Sequence, residues 1–506
     1  MKHYLTLAIF SLLAFFSHGY QFAVSDQEIF IPYILKWKDP TLFANDPLFD
    51  QPSTVVSLFY PIFRLLAKAI DLEAIFFLSY LLFQFFLFLA IYRLSYVILK
   101  DQRLAYLALL PFFLPKFIGG TATFTFDTFF GYRSIGVVFM ILHLSYLLEK
   151  KFLKAAIFAL FSAVFHPLSI IPIILLFPLI FIKENFKIQK RSILLVLSIV
   201  LLIILLISKL LPHDNDWLSI IKLRDDYLFP STWSPHGWLA FALYGLLLSL
   251  FLIILRSKIR ELILLVVIIS LSFFVTNYLI LEVIKSPFFA QFQLARSISP
   301  IAYISLAMSP LLLTHQRLIL RILGIFAFIF LSLNFFNLYL VAFLFFGLIF
   351  LKGHDFRSKN LSSRFVFIII VLFFIMSMIR SFSSSQTTIQ FPKAKDDWID
   401  LQLWAKNNTS KEAIFLVPPY QTGFRIFSER SIIGDIKDGA VVMYSPVYAV
   451  KWSTLMQDLA GYDNFQHADF ENLDAKYNFD YLVTLLIENL NFEKVYENTS
   501  FIIYKI

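Results

Sequence analysis

The chain has 506 residues, of which 59% are hydrophobic and only 15% charged. A soluble domain carries about 25% charged residues, so the balance excludes an ordinary soluble enzyme and points to many membrane-spanning helices. The formal charge of +9 lies in short clusters between apolar runs, the mark of membrane topology and not of a nucleic-acid-binding face, and the absence of cysteine excludes disulfides, thiolate catalysis and Cys-ligated metals.

Lys2 and His3 open the chain ahead of an apolar run, Tyr4 to Phe16. No small-x-small cleavage site precedes the polar stretch, so an uncleaved first span over Tyr4–Gly19 is expected in preference to a signal peptide. Residues Tyr20–Pro52 form the first polar interval and carry Asp26, Glu28, Asp39, Asp46 and Asp50. The segment 55–70, with Pro61, Arg64 and Lys68 among apolar residues, reads as an amphipathic helix lying in the membrane interface. Further apolar runs follow at about 73–97, 104–118, 132–148, 153–165, 168–182, 192–211, 237–255, 261–284, 297–313, 319–333, 336–351 and 365–380. The expected fold class is an α-helical polytopic membrane protein of about thirteen membrane segments, some shorter than the ~20 residues of a full span.

Every second connection is basic, from Lys100 and Arg103 through Lys150, Lys151 and Lys154 to Lys352, Arg357, Lys359 and Arg364. The alternate connections, 20–52, 119–131, 212–235 and 285–296, are aromatic and carry the acids. The positive-inside rule then predicts a cytoplasmic N-terminus and external acidic loops. Counting onward, residues 381–392 read as a polar linker and 393–506 as an extracytoplasmic α/β domain. Within it Asp396–Asn408 reads as a helix, Ala413–Pro419 as a buried strand and Val450–Tyr462 as a second helix. Asp480–Leu486 and Lys494–Ile506 read as strands, the latter a hairpin about Glu497–Asn498.

The candidate chemistry sits in the polar connections. Asp26 and Glu28 suit a general base and its partner, yet Ser25-x-x-Glu28 is also a capping box, and Phe30, Tyr33, Ile34 and Trp37 follow at helical spacing. Pro32 would kink a helix that began at Ser25. Asp46 is a third candidate acid, although Asp46-Pro47 is equally an N-cap followed by proline at the first helical position. Arg133 and Arg296 each stand at the external start of a predicted span, where a guanidinium suits a lipid phosphate or simply snorkels to the interface. His166-Pro167 interrupts a long apolar run, and a histidine at that depth requires a polar partner; His143, in mid-run, reads as an interhelical contact. Asp214-Asn215-Asp216 is a short acidic doublet that also suits a divalent ion. No phosphate-cradling glycine loop, His-Glu-x-x-His or Gly-x-Ser-x-Gly elbow occurs; no metal ligand set is predicted and no cofactor is specified.

The layout, together with Ser25-Asp26-Gln27-Glu28, Asp39-Pro40, Asn45-Asp46-Pro47, Phe165-His166-Pro167 and Gln293-Leu294-Ala295-Arg296, resembles the GT-C superfamily of polytopic glycosyltransferases, and a bacterial subgroup of it. The runs Phe415–Pro419, Gly423-Phe424-Arg425 and Asp435–Gly439 share that resemblance. It implies a sugar donor carried on a polyprenyl phosphate, a glycan, lipid or protein acceptor, and a place in a bacterial inner membrane. It also implies a catalytic carboxylate in the first external loop, the position of Asp26. Here Asp26 and Glu28 are separated by Gln27, a departure from the adjacent acidic pair often found there. The resemblance implies substrate contacts at Arg133, His166 and Arg296. A non-catalytic scaffold of the same fold is the alternative, as is a transporter or flippase, which should show repeated halves and acids near mid-membrane.

Overall fold

Runs of leucine, isoleucine and phenylalanine leave the backbone no partner in lipid except itself, and helices satisfy that demand. The structure, a computed structural model, describes residues 2–50, 57–186, 190–255, 258–315, 317–334, isolated positions between 362 and 376, 389–390, 396–486 and 490–506. Among the described residues, four helices are long and apolar enough to cross a membrane: Leu72–Leu99, Pro235–Ile253, Ile259–Ile284 and Pro287–Leu313. Tyr132–Leu148, Phe152–Phe165 and Leu318–Ser332 are apolar but shorter. The predicted runs at 336–351 and most of 365–380, and nearly all of the linker 381–392, lie outside the described residues.

Proline decides where the apolar runs break. The run 104–118 is not one helix: Gln102–Leu107 is followed by a 3-10 turn, Leu110–Phe112, with Pro111 in it. The run 168–182 divides into Pro167–Ile170, a 3-10 turn at Ile171–Ile173 and the helix Leu176–Phe186. A proline lacks the amide that would continue the ladder, so each break follows from the residue itself. Between them, Tyr132–Leu148 and Phe152–Phe165 form a close helical hairpin.

The chain makes two units, each assembled from separated stretches: residues 1–20, 78–212 and 226–389 in one, and 21–77, 213–225 and 390–506 in the other. The first is organised by a single apolar core that runs from Leu7 through Leu94, Ile141, Phe251 and Met308 to Phe373. Its helices approach closely where glycine allows. A Cβ on Gly136 would lie 2.5 Å from the Cβ of His166, and one on Gly120 would lie 2.1 Å from the Trp233 ring.

The second unit contains a five-stranded sheet. Its strands are β1 (Ile414–Leu416), β2 (Ser431–Ile432), β3 (Tyr481–Leu485), β4 (Glu493–Glu497) and β5 (Phe501–Lys505), in the order β2-β1-β3-β5-β4. β1 pairs in parallel with β2 and β3, whereas β5 is antiparallel to both β3 and β4. Helices Asp397–Asn408, Pro446–Asp458 and His467–Tyr477 accompany it, with Trp398, Leu401 and Phe424 on one apolar cluster and Leu455, Phe470 and Leu473 on the other. The first-loop helix Gln27–Lys38 and the short helix Phe59–Leu66 belong to the same unit. Phe59 and Phe63 are buried against Phe30 and Phe76, while Ile62, Leu65 and Leu66 stay exposed. An exposed apolar face of that kind suits the headgroup boundary of a bilayer.

Gly120→Ala is expected to displace Trp233 and cost about 1–3 kcal/mol by overpacking. Gly245, inside the helix Pro235–Ile254, has open space where a Cβ would stand, so Gly245→Ala should instead stabilise by about 0.5–1 kcal/mol. Thermal unfolding of the two variants in detergent should move in opposite directions.

Candidate functional site

Two places gather the candidate residues, one in each unit. In the second unit, the helix Gln27–Lys38 begins with Asp26 in the N-cap position, but Asp26 makes no side-chain capping hydrogen bond. The capping box predicted from Ser25 and Glu28 is therefore not how these residues are used. Ser25 takes a left-handed backbone, φ +55°, and the carboxylate of Asp26, 56% exposed, lies 3.1 Å from the ammonium of Lys437. Glu28 is largely buried, hydrogen-bonded to the Thr422 side chain, and its carboxyl is pushed upward chiefly by that burial. The Asp26 charge adds to the rise, while Thr422 and Lys437 oppose it. Gly423, at φ +83°, lets the backbone pass close to Glu28: a Cβ there would stand 3.5 Å from Cγ. Two neighbouring acids in unlike surroundings, one exposed and ion-paired and one desolvated, are the usual arrangement for dividing proton-transfer roles. Pro32 does not end this helix, which continues to Lys38.

Asp46 has a different employment. It is fully buried, its Oδ1 accepts the Leu48 amide at 3.0 Å, and its Oδ2 accepts the Ile432 amide at 3.0 Å. Both oxygens also accept from Arg425, Nη2 at 2.9 Å and Nε at 2.6 Å. The other face of the same guanidinium donates to Asp438, Nη1 to Oδ1 and Nη2 to Oδ2, each at 2.8 Å. Burial alone would lower the affinity of Arg425 for its proton, but the Asp438 and Asp46 carboxylates outweigh it and hold the group above its usual range. A carboxylate so occupied is a tether between the first loop and the sheet-bearing segment. Asp435 is next to this pair, accepting the Lys437 and Asp438 amides at 2.8 and 3.1 Å. Its carboxyl is pushed up by burial first and by the Asp438 charge second.

In the first unit, Arg133, His166 and Arg296 line one cavity, with the hydroxyl-bearing Thr123, Ser169, Ser299 and Tyr303. They arrive from three elements: the start of Tyr132–Leu148, the break between Phe165 and Pro167, and the 3-10 turn Leu294–Ile298. Arg133 is aimed by Asp127, which takes Nε at 2.9 Å and also pairs with Nη2, while Nη1 donates to Phe124 O at 3.0 Å. Arg296 is held less tightly, by one long bond from Nε to Thr121 O at 3.4 Å and by the face of Tyr227 at 4.7 Å. His166, buried, meets Ser169 Oγ at 2.6 Å and packs on the ring of Tyr132. The cavity is small, about 30 Å³, and its two guanidiniums are of the kind that pairs with a phosphate-like anion, whereas the Ser299 and Tyr303 hydroxyls donate to the Arg296 and Thr125 carbonyls at 2.7 and 2.6 Å. His143 is buried with Nδ1 2.8 Å from Ala155 O, across the helical hairpin. Asp214, from the acidic doublet, caps the helix Asn215–Arg224 by accepting the Trp217 amide at 2.8 Å.

Asp127 was not among the predicted residues. It is the one acid in the stretch 119–131, and a lone acid six positions before an arginine is a weak signal. Tyr303 was hidden in an apolar run, and Arg425, Asp435 and Asp438 were visible only as members of short motifs, with no sign of what they pair with.

A family described as "Domain of unknown function (DUF6798)" matches residues 396–459. No curated protein matches the chain. Among solved structures, the archaeal oligosaccharyltransferase AglB from Archaeoglobus fulgidus, in complex with an inhibitory peptide and a dolichol-phosphate, is similar at 14% identity and a TM-score of 0.42, over 96% of this chain and 69% of that one. A likeness at that level is too distant to assign residues.

Arg425→Leu removes one partner from a buried ionic group and should cost about 3–5 kcal/mol, read as early unfolding of the sheet-bearing unit by proteolysis. The raised carboxyl of Asp435 gives a signed pH effect. The unfolded chain releases that proton at lower pH than the folded one, so between the two values the folded state binds more protons and stability falls as pH rises. Thermal unfolding of Asp435→Asn measured above the usual carboxylate range should show a shallower decline than the parent.

Proposed function

We propose that the chain, an integral membrane protein by its long apolar helices, is a GT-C-like glycosyltransferase. It moves a sugar from a polyprenyl-phosphate carrier to an extracytoplasmic glycan, lipid or protein acceptor. The N-terminus is placed in the cytoplasm and residues 393–506 outside, on the alternation of loop charge. The observation that supports the reading most is the gathering of Arg133, His166 and Arg296 on one cavity.

In this reading Arg133 and Arg296 hold the phosphate of the carrier as it leaves the sugar, a charge that grows in the transition state and so rewards fixed donors. Asp127 keeps the guanidinium of Arg133 in place. Asp26 is the base: its carboxylate takes the proton from an acceptor hydroxyl while that oxygen attacks the anomeric carbon. One displacement, without an intermediate on the protein, inverts the configuration there. Glu28, held toward its neutral form by burial, leaves the charge on Asp26. Asp46 takes no part in the transfer and fastens the loop that carries them.

Asp26→Asn is expected to lower transfer from a lipid-linked sugar by about 10²–10⁴-fold, with expression and polyprenyl-phosphate binding retained. Arg296→Ala should weaken binding of polyprenyl monophosphate by about tenfold or more, measured on the full chain in detergent. Transfer that survives Asp26→Asn would remove Asp26 as the base. Lipid-phosphate binding indifferent to Arg296 would remove the cavity as the donor site.

A further inference from the structure

A second cavity in the first unit, of about 460 Å³, is unused by the transfer reaction. That volume lies within the range of small-molecule sites, ~300–1,000 Å³. Two helices supply its long walls: Phe83, Phe86 and Leu89 from Leu72–Leu99, and Phe139 and Leu142 from Tyr132–Leu148. Three residues apart along each helix, these side chains form facing stripes. Further along the same helices the lining turns polar, with Arg93, Tyr96 and Tyr146. From Phe83 to Tyr96 at 1.5 Å per residue the groove runs about 20 Å, close to one leaflet's share of a bilayer about 40 Å thick with its headgroup regions. Its length and its change from apolar to polar match one acyl chain and its headgroup.

Charge identifies the headgroup. Arg93 lies over the Tyr146 ring at 3.7 Å, paired with Glu149, and Lys154 is 5.7 Å from the same ring. Glu149 also meets Lys151 at 3.1 Å, so this acid is shared between two cations. The buried Nε of Arg93 has no hydrogen-bond partner among the described residues. The connections at this end add Lys100, Arg103 and Lys150, against Asp101 and Glu149, and Asp101 caps the helix Gln102–Leu107. The mouth of the groove is thus net positive.

We propose that this groove is a binding site for an anionic membrane phospholipid, its acyl chain between the two helices and its phosphate at Arg93 and Lys154. The site is distinct from the cavity of Arg133, His166 and Arg296 and does not depend on a glycosyltransferase activity.

The test uses the full chain reconstituted in vesicles of equal phosphatidylcholine and phosphatidylglycerol, then extracted in mild detergent, with retained lipid measured by native mass spectrometry. Phosphatidylglycerol should be retained about fivefold or more over phosphatidylcholine, the preference that one basic residue near an anionic surface supplies. The exposed Lys154→Gln should reduce that excess, and Arg93→Gln with Lys154→Gln should bring it near parity. Leu142→Trp, which fills the groove, should reduce retention of both lipids. Each variant is compared at matched size-exclusion profile; Lys154→Gln is exposed at the surface and keeps the test decisive if the others misfold. No excess of phosphatidylglycerol in the parent, or an excess unchanged by Lys154→Gln, overturns the proposal. Displacement of the retained phospholipid by equimolar polyprenyl monophosphate overturns it too, by making the groove a donor site.

Discussion

The guanidinium of Arg425 is enclosed by protein and shared between the carboxylates of Asp46 and Asp438. A charge of this kind removed from water is tolerated only when its donors are matched, and a planar fork facing two carboxylates does this well. The consequence is connectivity. Asp46 lies in the first polar interval and Arg425 in the last fifth of the chain, so one buried group fastens two segments that sequence keeps far apart. The helix carrying Asp26 and Glu28 is part of that unit, and its residues meet Thr422, Gly423 and Lys437 there. The placement of both acids is therefore tied to a buried ion pair in the same unit.

Four arginines among the described residues differ by burial and partner. Arg425 is sealed and structural. Arg133 and Arg296 stand partly exposed on a cavity, the first aimed by Asp127 and the second held by a long hydrogen bond and a tyrosine face. Arg93 lies at the basic end of a helix and closes an apolar groove. Residue type alone predicts none of these; the count of donors already committed, and the solvent left to the rest, distinguishes them.

Glycine has a comparable role in steric terms. Gly120 admits the Trp233 ring and Gly136 admits His166, each at a distance no side chain would allow. The histidine of the cavity is positioned by a missing methyl on a neighbouring helix as much as by its hydrogen bond to Ser169. Packing and site geometry are in this sense one problem, since a helix moved outward at Gly136 carries a cavity wall with it.

Local order was the legible part. A mostly apolar run marked Tyr132–Leu148 as a helix, and a cluster of β-branched and aromatic residues marked Phe501–Lys505 as a strand, because each outcome is settled by backbone amides and nearby side chains; the breaks at Pro111 and Pro172, within runs expected to be whole, were not foreseen. Candidate acids and arginines could also be named, as charges are conspicuous in an apolar chain. What the sequence could not convey was which charge each one meets. Ser25 and Glu28 spell a helix cap, yet Glu28 turns to Thr422; Asp46 reads as a cap, yet most of its contacts are with Arg425 and Ile432. These choices belong to tertiary structure, because the partner of a buried charge is whatever the closing fold brings within about 3 Å, and that distance is not encoded by any spacing along the chain.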